Sequence, residues 1–327
     1  MSSLAIEVEN LSKTFRVAQK APGLASTISS VFSRTYYEIK AVDNISFKIA
    51  RGEFVGLLGP NGAGKTTTLK ILSGLLYPTT GRATVLGFTP QDRNPEFQKQ
   101  FSFVAGQKSQ LWWDLPPSES FLLNKEIYGI PDSIYKKTIS ELVELLDLGN
   151  LVNTPVRRLS LGERMKAELV AALLHKPSVL FLDEPTLGLD IVASKRLRDF
   201  IKSYNEKTAA TIILTSHNMG DVKQLCRRVI IINLGKIVFD GALEKIIAGY
   251  SDHKVISLVF EKPVEIERLE KFGKIEKYDR ISASVEVLRT EISQTSAALL
   301  DDFPVVDLEI TEPPIEEIIA EIFTKKS

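Results

Sequence analysis

Eight residues constrain this chain more than any others. Gly59-Pro60-Asn61-Gly62-Ala63-Gly64-Lys65-Thr66 stands between the short apolar run Phe54-Val55-Gly56-Leu57-Leu58 and a stretch predicted helical from Thr67 to Leu72. An apolar run closed by glycine reads as a buried strand, so the order is strand, glycine-rich loop, helix, which is the P-loop pattern. Glycines let successive backbone N–H groups turn inward around phosphate oxygens, and the helix N-terminus adds positive potential. Asn61, Gly62, Ala63, Gly64, Lys65, Thr66 and Thr67 are therefore the nucleotide-binding candidates. Lys65 is placed to reach the β- and γ-phosphates of ATP, and the Thr66 hydroxyl to meet Mg²⁺.

A second run completes that chemistry. Val179-Leu180-Phe181-Leu182-Asp183-Glu184-Pro185 carries two carboxylates at the end of an apolar strand, the edge where a parallel sheet presents its ligands. Asp183 suits the Mg²⁺ shell, and Glu184, one residue on, can polarise an attacking water as a general base. Strand patterns recur at 211–214, 229–232 and 237–239 with helical patterns such as 194–204 between them. That alternation predicts a parallel sheet covered on both faces.

Further motifs give the chain a family resemblance. Leu159-Ser160-Leu161-Gly162-Glu163 resembles the Leu-Ser-Gly-Gly-Gln signature of ATP-binding-cassette (ABC) proteins, with Leu161 in place of glycine and Glu163 in place of glutamine. In that family the helix opening at the signature faces the γ-phosphate held by the other subunit, and Ser160 and Gly162 are the matching donors. Ser160 and Glu163 also have the spacing of a helix capping box, and both roles are compatible. Gln107 matches the Q-loop glutamine, implied to sense Mg²⁺ and couple to the membrane subunit. Leu187-Gly188-Leu189-Asp190 resembles the D-loop, and His217 the switch histidine that contacts the γ-phosphate. Phe15 resembles the aromatic residue that stacks on adenine, with Tyr36 or Tyr37 as alternatives.

Composition sets the outer limits. The chain has 327 residues, 44% hydrophobic and 25% charged, enough for a sizeable core. Lys+Arg and Asp+Glu both number 41, so there is no basic excess for a nucleic-acid backbone, and no nucleic-acid partner is expected. One cysteine excludes an intrachain disulfide. The start Met1-Ser2-Ser3-Leu4 lacks the layout of a signal peptide, and no apolar stretch approaches the roughly 20 residues of a membrane span. A cytoplasmic protein is expected, peripheral on the inner face of the cell membrane.

The expected architecture is α/β: a P-loop NTPase with a RecA-like core sheet, an antiparallel β subdomain and a helical subdomain, plus a small C-terminal α/β domain. Residues 1–249 are assigned to the cassette, with an insertion at about 17–37 and the helical subdomain at about 95–176. Leu24, Ile28, Val31 and Phe32 in the insertion have helical spacing. Residues 250–327 form the accessory domain, predicted with strands at 255–260, 283–287 and 304–310, a Glu/Lys-rich helical stretch after the first, and a last helix at 315–323.

The resemblance implies an ATPase that works as a dimer sandwiching two ATP molecules, paired with a second copy or a paralogue. It is closest to the type-two exporter branch, whose single-cassette subunits serve a separate integral-membrane permease. An importer subunit, or a soluble ABC ATPase acting on ribosomes or DNA, are the alternatives. The sequence has no second P-loop and no extended heptads. Trp112 and Trp113, just after Gln107, either line the groove for the permease or pack inside the helical subdomain.

Overall fold

In the computed structural model, residues 3–18, 36–106, 109–250, 252–313 and 318 are described, except for the side chains of 247–250. The expected insertion helix, Gln107 and most of the expected last helix lie outside them. The chain divides into two compact units, Met1–Asp240 and Gly241–Ser327.

In the first unit the strands are β1 (Leu4–Ala18), β2 (Tyr36–Ala50), β3 (Phe54–Leu58), β4 (Thr80–Val85), β5 (Phe101–Ala105), β6 (Val179–Asp183), β7 (Thr211–Thr215), β8 (Arg228–Asn233) and β9 (Lys236–Ala242). Between them run helices α1 (Lys65–Leu72), α2 (Pro117–Tyr128), α3 (Asp132–Leu145), α4 (Leu161–Leu173), α5 (Ile191–Thr208) and α6 (Met219–Leu225). A six-stranded sheet has the order β5-β6-β7-β3-β8-β9, and its first five strands pair in parallel. β3 and β7 are buried at every residue, as expected of central strands covered on both faces. A three-stranded antiparallel sheet has the order β2-β1-β4, and β2 precedes the strand that enters the P-loop.

One core joins the two sheets. Ile6, Val8, Ile45 and Ile49 of the antiparallel sheet, Leu69, Ile71 and Leu72 of α1, and Val55, Phe181, Ile213 and Ile230 of the parallel sheet pack into one cluster. Each such side chain contributes about 1.5–3 kcal/mol by leaving water. α1 is thereby held between the sheets, which fixes the direction of its N-terminus.

Two expectations needed extension here. β2 runs from 36 to 50, well beyond the short strand expected near Ile45-Phe47, because its outer half pairs along β1 as far as Ala18–Tyr36. β4, within Thr80-Gly81-Arg82-Ala83-Thr84-Val85, gave no strong signal; it forms because β1 offers it an antiparallel partner. The region 95–176 holds α2, α3 and α4, and also β5, an edge strand of the main sheet.

The second unit holds α7 (Leu243–Tyr250), β10 (His253–Phe260), β11 (Lys274–Asp279), β12 (Ser282–Leu288), α8 (Ile292–Asp302) and β13 (Val305–Thr311), with a short helix at Ile266–Leu269. Its antiparallel sheet has the order β11-β12-β10-β13. With helices between β10 and β11 and between β12 and β13, this is a split βαβ arrangement. Ile256, Leu258, Phe260, Val285, Leu269 and Leu299 form its core. The Glu/Lys-rich stretch expected to be helical is so only at 266–269. Lys274–Asp279 is a strand, since pairing with β12 lets Ile275 and Tyr278 pack on the core while the charged residues face out.

Phe181 of β6 is fully buried, with ring centroids 6.0 Å from Phe101 and 6.5 Å from Phe103. Phe181→Ala is expected to lower the unfolding free energy by about 3–5 kcal/mol, read from the shift of the urea midpoint.

Candidate functional site

The glycine-rich loop leaves β3 and enters α1 at Lys65. Gly64 has φ 111°, and a Cβ there would lie 2.3 Å from the carbonyl oxygen of Ala41 on β2. Only glycine fits that conformation against that backbone. Phe15 pairs with Ile39, two residues before Ala41, and its ring is half-buried. Lys13 Nζ lies 5.3 Å from the centre of that ring.

Lys65 is 5% exposed, and its Nζ donates to the carbonyls of Gly59 at 2.6 Å and Pro60 at 3.1 Å. Burial pulls its ammonium below the usual lysine range, while the charges of Glu184 and Asp183 push the other way. Beside it the Thr66 hydroxyl donates to the Asp183 carboxylate at 3.0 and 3.1 Å. The Thr215 hydroxyl, at the end of β7, reaches Asp183 Oδ1 at 2.7 Å. Hydroxyl and carboxylate oxygens of this kind are the hard ligands that Mg²⁺ takes.

Glu184 follows with φ 55°, a left-handed conformation that costs a non-glycine residue of order 1–3 kcal/mol. Its N–H is fixed by Thr215, to the carbonyl at 3.0 Å and the hydroxyl at 3.1 Å. That turn aims its carboxylate at His217 Nε2, 2.9 Å away, and the same nitrogen is 3.4 Å from Lys65 Nζ. Lys65, Thr66, Asp183, Glu184 and His217, distant in sequence, thus form one continuous cluster. A cavity of about 520 Å³ opens beside it, lined by Thr66, Asp183, Glu184, Gly106 and Gln110 among others.

Ser160, Gly162 and Asp190 form a second group. Ser160 caps α4: its Oγ accepts from the Glu163 N–H at 3.3 Å, and the Glu163 carboxylate accepts from the Ser160 N–H at 2.8 Å. The capping box is present as its spacing predicts. Asp190 caps α5, accepting from the Ala193 N–H at 2.8 Å. Gly162 lies against Ala193, and Leu161 against Gly188, so the two helix starts are neighbours. Among the described residues no hydrogen bond or ion pair joins Ser160 or Gly162 to the Lys65 cluster.

Gln107 itself is outside the described residues, but both its flanks are fixed. Gly106 donates its N–H to the Asp183 carbonyl at 2.9 Å, and a Cβ on it would lie 2.1 Å from the Glu184 carbonyl oxygen. On the other side, Glu168 of α4, 3% exposed, accepts from Ser109 Oγ at 2.5 Å and from the Gln110 N–H at 2.9 and 3.1 Å. Burial pushes the Glu168 carboxyl above its usual range, and these hydrogen bonds oppose the shift. The Gln110 side chain bonds back to the Phe103 carbonyl.

Gly106, Glu168 and Thr215 were not picked out from the sequence. Thr215 directly precedes Ser216-His217, and Glu168 is an acid inside the apolar run Ala167 to Leu174, so both left a trace. A second cavity, of about 550 Å³, lies between the parallel sheet and the helical region, lined by Leu75, Gln98, Phe101, Phe103, Gln110, Asn124 and Ile127 among others. It shares Leu75, Phe103 and Gln110 with the first. Trp112 and Trp113 are 52% and 53% exposed, so they are not buried packing of the helical region.

The chain matches the family described as ABC transporter over residues 42–187, and the family described as EvrA-like ABC transporter, C-terminal domain, over residues 252–311. It is 36% identical over 208 residues to the ABC transporter ATP-binding protein NatA of Bacillus subtilis (strain 168), covering 64% of this chain and 84% of NatA. It is 32% identical over 225 residues to the linearmycin resistance ATP-binding protein LnrL of the same organism, covering 69% of this chain and 72% of LnrL. Among solved structures it superposes on the ATP-binding cassette MJ0796, a dimer in a post-hydrolysis state bound to ADP and Pi. The TM-score is 0.61 at 23% identity, over 73% of this chain and 98% of that one, a likeness of fold.

The capping box generates a prediction. Glu163→Ala is expected to cost about 1 kcal/mol of stability, by loss of the reciprocal cap, while Glu163→Gln retains most of it. Chemical denaturation of both variants measures the difference.

Proposed function

The chain belongs to the ATP-binding ATPase subunits of ABC transporters, and from that premise we propose that it powers export through a separate membrane permease. The observation that carries the reading is the junction of Lys65, Thr66, Asp183, Glu184 and His217 at one sheet edge. The working unit is residues 1–249 as cassette, with 250–327 as an accessory domain.

In this reading the backbone N–H groups from Asn61 to Thr67 hold the phosphates, and Lys65 exchanges its loop carbonyls for the β- and γ-phosphate oxygens. Phe15 stacks on adenine. Thr66, Asp183 and Gln107 would hold Mg²⁺, which supplies charge neutralisation on the phosphates when bound. Glu184 accepts a proton from the water as that water attacks the γ-phosphorus, and the bond to the β-phosphate oxygen breaks to release ADP. His217, hydrogen-bonded to Glu184, faces the γ-phosphate.

The site needs a second cassette. Ser160 and the Gly162 N–H stand at a helix start, a ready anion site, and among the described residues no hydrogen bond or ion pair joins them to the Lys65 cluster of their own chain. Two cassettes, whether copies or paralogues, facing head to tail bring Ser160 of one to Lys65 of the other, with Asp190 at the crossing. The dimeric state of MJ0796 supports that assembly.

The permease docks from the membrane side. Among the described residues no helix is long and apolar enough to cross a membrane. The 550 Å³ groove, rimmed by exposed Leu75 and Ile127, receives a cytoplasmic helix of the permease on the inner face of the membrane, with Trp112 and Trp113 beside it. Export as the direction is supported by the resistance role in the name of LnrL.

Two experiments test this. Glu184→Gln is expected to lower turnover by about 10²- to 10⁴-fold while leaving ATP binding intact, measured by steady-state phosphate release and nucleotide titration. Replacing both Trp112 and Trp113 by Ala is expected to weaken co-purification with the permease and leave the isolated ATPase unchanged. Unimpaired assembly would remove the tryptophans from the interface.

A further inference from the structure

Behind the Glu184–His217 pair lies a carboxylate that touches neither residue. Asp221, on α6, is fully buried, and its partner Arg198 on α5 has a side chain only 14% exposed. Asp221 Oδ1 accepts from Arg198 Nη1 at 2.9 Å. Its Oδ2 accepts from the hydroxyls of Thr186 at 2.5 Å and Ser216 at 2.6 Å. Those two hydroxyls come from different strand ends. Thr186 is two residues after Glu184, and Ser216 is the residue before His217.

The surrounding bonds make this carboxylate a tie between the two. Thr186 sits in the turn that closes on Glu184, where the Leu187 N–H reaches the Glu184 carbonyl at 3.2 Å and the Leu189 N–H reaches that of Thr186 at 3.1 Å. Ser216 Oγ accepts from the Asn218 N–H at 3.0 Å, so it fixes the backbone on both sides of His217. Arg198 is held in turn by Gln224 Oε1 at 2.8 Å. Hydrogen bonds between a carboxylate and a guanidinium or hydroxyl in the interior are short and strong, and Asp221 has three of them.

We propose that Asp221 is a positioning residue for hydrolysis: through Thr186 and Ser216 it holds the Glu184 carboxylate within hydrogen-bond reach of His217. The inference rests on the reading of Glu184 as general base. Glu184 stands in a left-handed conformation, which persists only where the surroundings over-determine it. Thr215 fixes its N–H, and Asp221 fixes the turn that follows. Loss of the anionic oxygen frees one strand end relative to the other, and small misplacements of a catalytic group are costly in rate.

The experiment is steady-state ATPase and nucleotide titration on the full chain for wild type, Asp221→Asn, Glu184→Gln and the double variant. Asp221→Asn is expected to lower kcat roughly tenfold or more with KM for ATP and nucleotide affinity within about twofold, the pattern of an interaction felt in the transition state. In the Glu184→Gln background the same substitution is expected to change the residual rate by less than about twofold, because a residue that acts through Glu184 has nothing left to position. Wild-type kcat in Asp221→Asn overturns the proposal. So does an equal loss in both backgrounds, which marks general damage. Full turnover in Glu184→Gln alone overturns the general-base reading and the proposal with it. If Asp221→Asn fails to fold, Thr186→Val and Ser216→Ala each remove one donor; a fall in kcat at unchanged KM in both supports the tie, and wild-type kcat in both refutes it.

Discussion

The carboxylate of Asp183 is the interaction on which the rest of the site depends. It sits at the end of a strand whose other residues are buried, and it receives the hydroxyls of Thr66 from α1 and Thr215 from β7. Its backbone carbonyl receives Gly106 from the end of β5. One residue therefore ties the P-loop helix to three adjacent strands. A carboxylate partly withdrawn from water is costly without such partners, so the cluster stabilises the acid while it fixes the loop. Lys65, close by, supplies the opposite charge and is itself held by loop carbonyls.

The same economy governs the approach to the site from the helical region. The chain is bound to the sheet up to Gly106 and to α4 from Ser109, where Glu168 gathers the Ser109 hydroxyl and the backbone N–H groups of Gln110 and Leu111. Only residues 107 and 108 lie between these anchors. Gln110 then reaches back to the Phe103 carbonyl and lines both cavities. The helix that begins at Ser160 is, through Glu168, fastened to the wall of the groove and of the nucleotide-side cavity alike.

Much of the site was legible because its chemistry is local. A glycine-rich loop after a buried strand admits few alternatives, and Asp183-Glu184 at the end of an apolar run identifies the acidic edge of the sheet. Ser160 and Glu163 announce their cap by spacing alone. The supporting residues were less legible. Glu168, Thr215 and Asp221 matter through partners 58, 32 and 35 positions away, and no window along the chain contains both ends of those bonds. In the second unit, α8 and β11 escaped for a related reason. Lys274–Asp279 alternates weakly and is made a strand by β12, whose Val285 and Ala283 face Ile275 and Tyr278.

By itself the sequence determined the P-loop, the acidic strand end, the alternating α/β order and the candidate residues for phosphate, because each depends on neighbours within a strand or a turn. Tertiary structure alone decided that Glu184 meets His217 and that Asp221 gathers the hydroxyls of Thr186 and Ser216. Those outcomes depend on which strands lie side by side, and strand order is set by burial of whole faces rather than by any local run of residues.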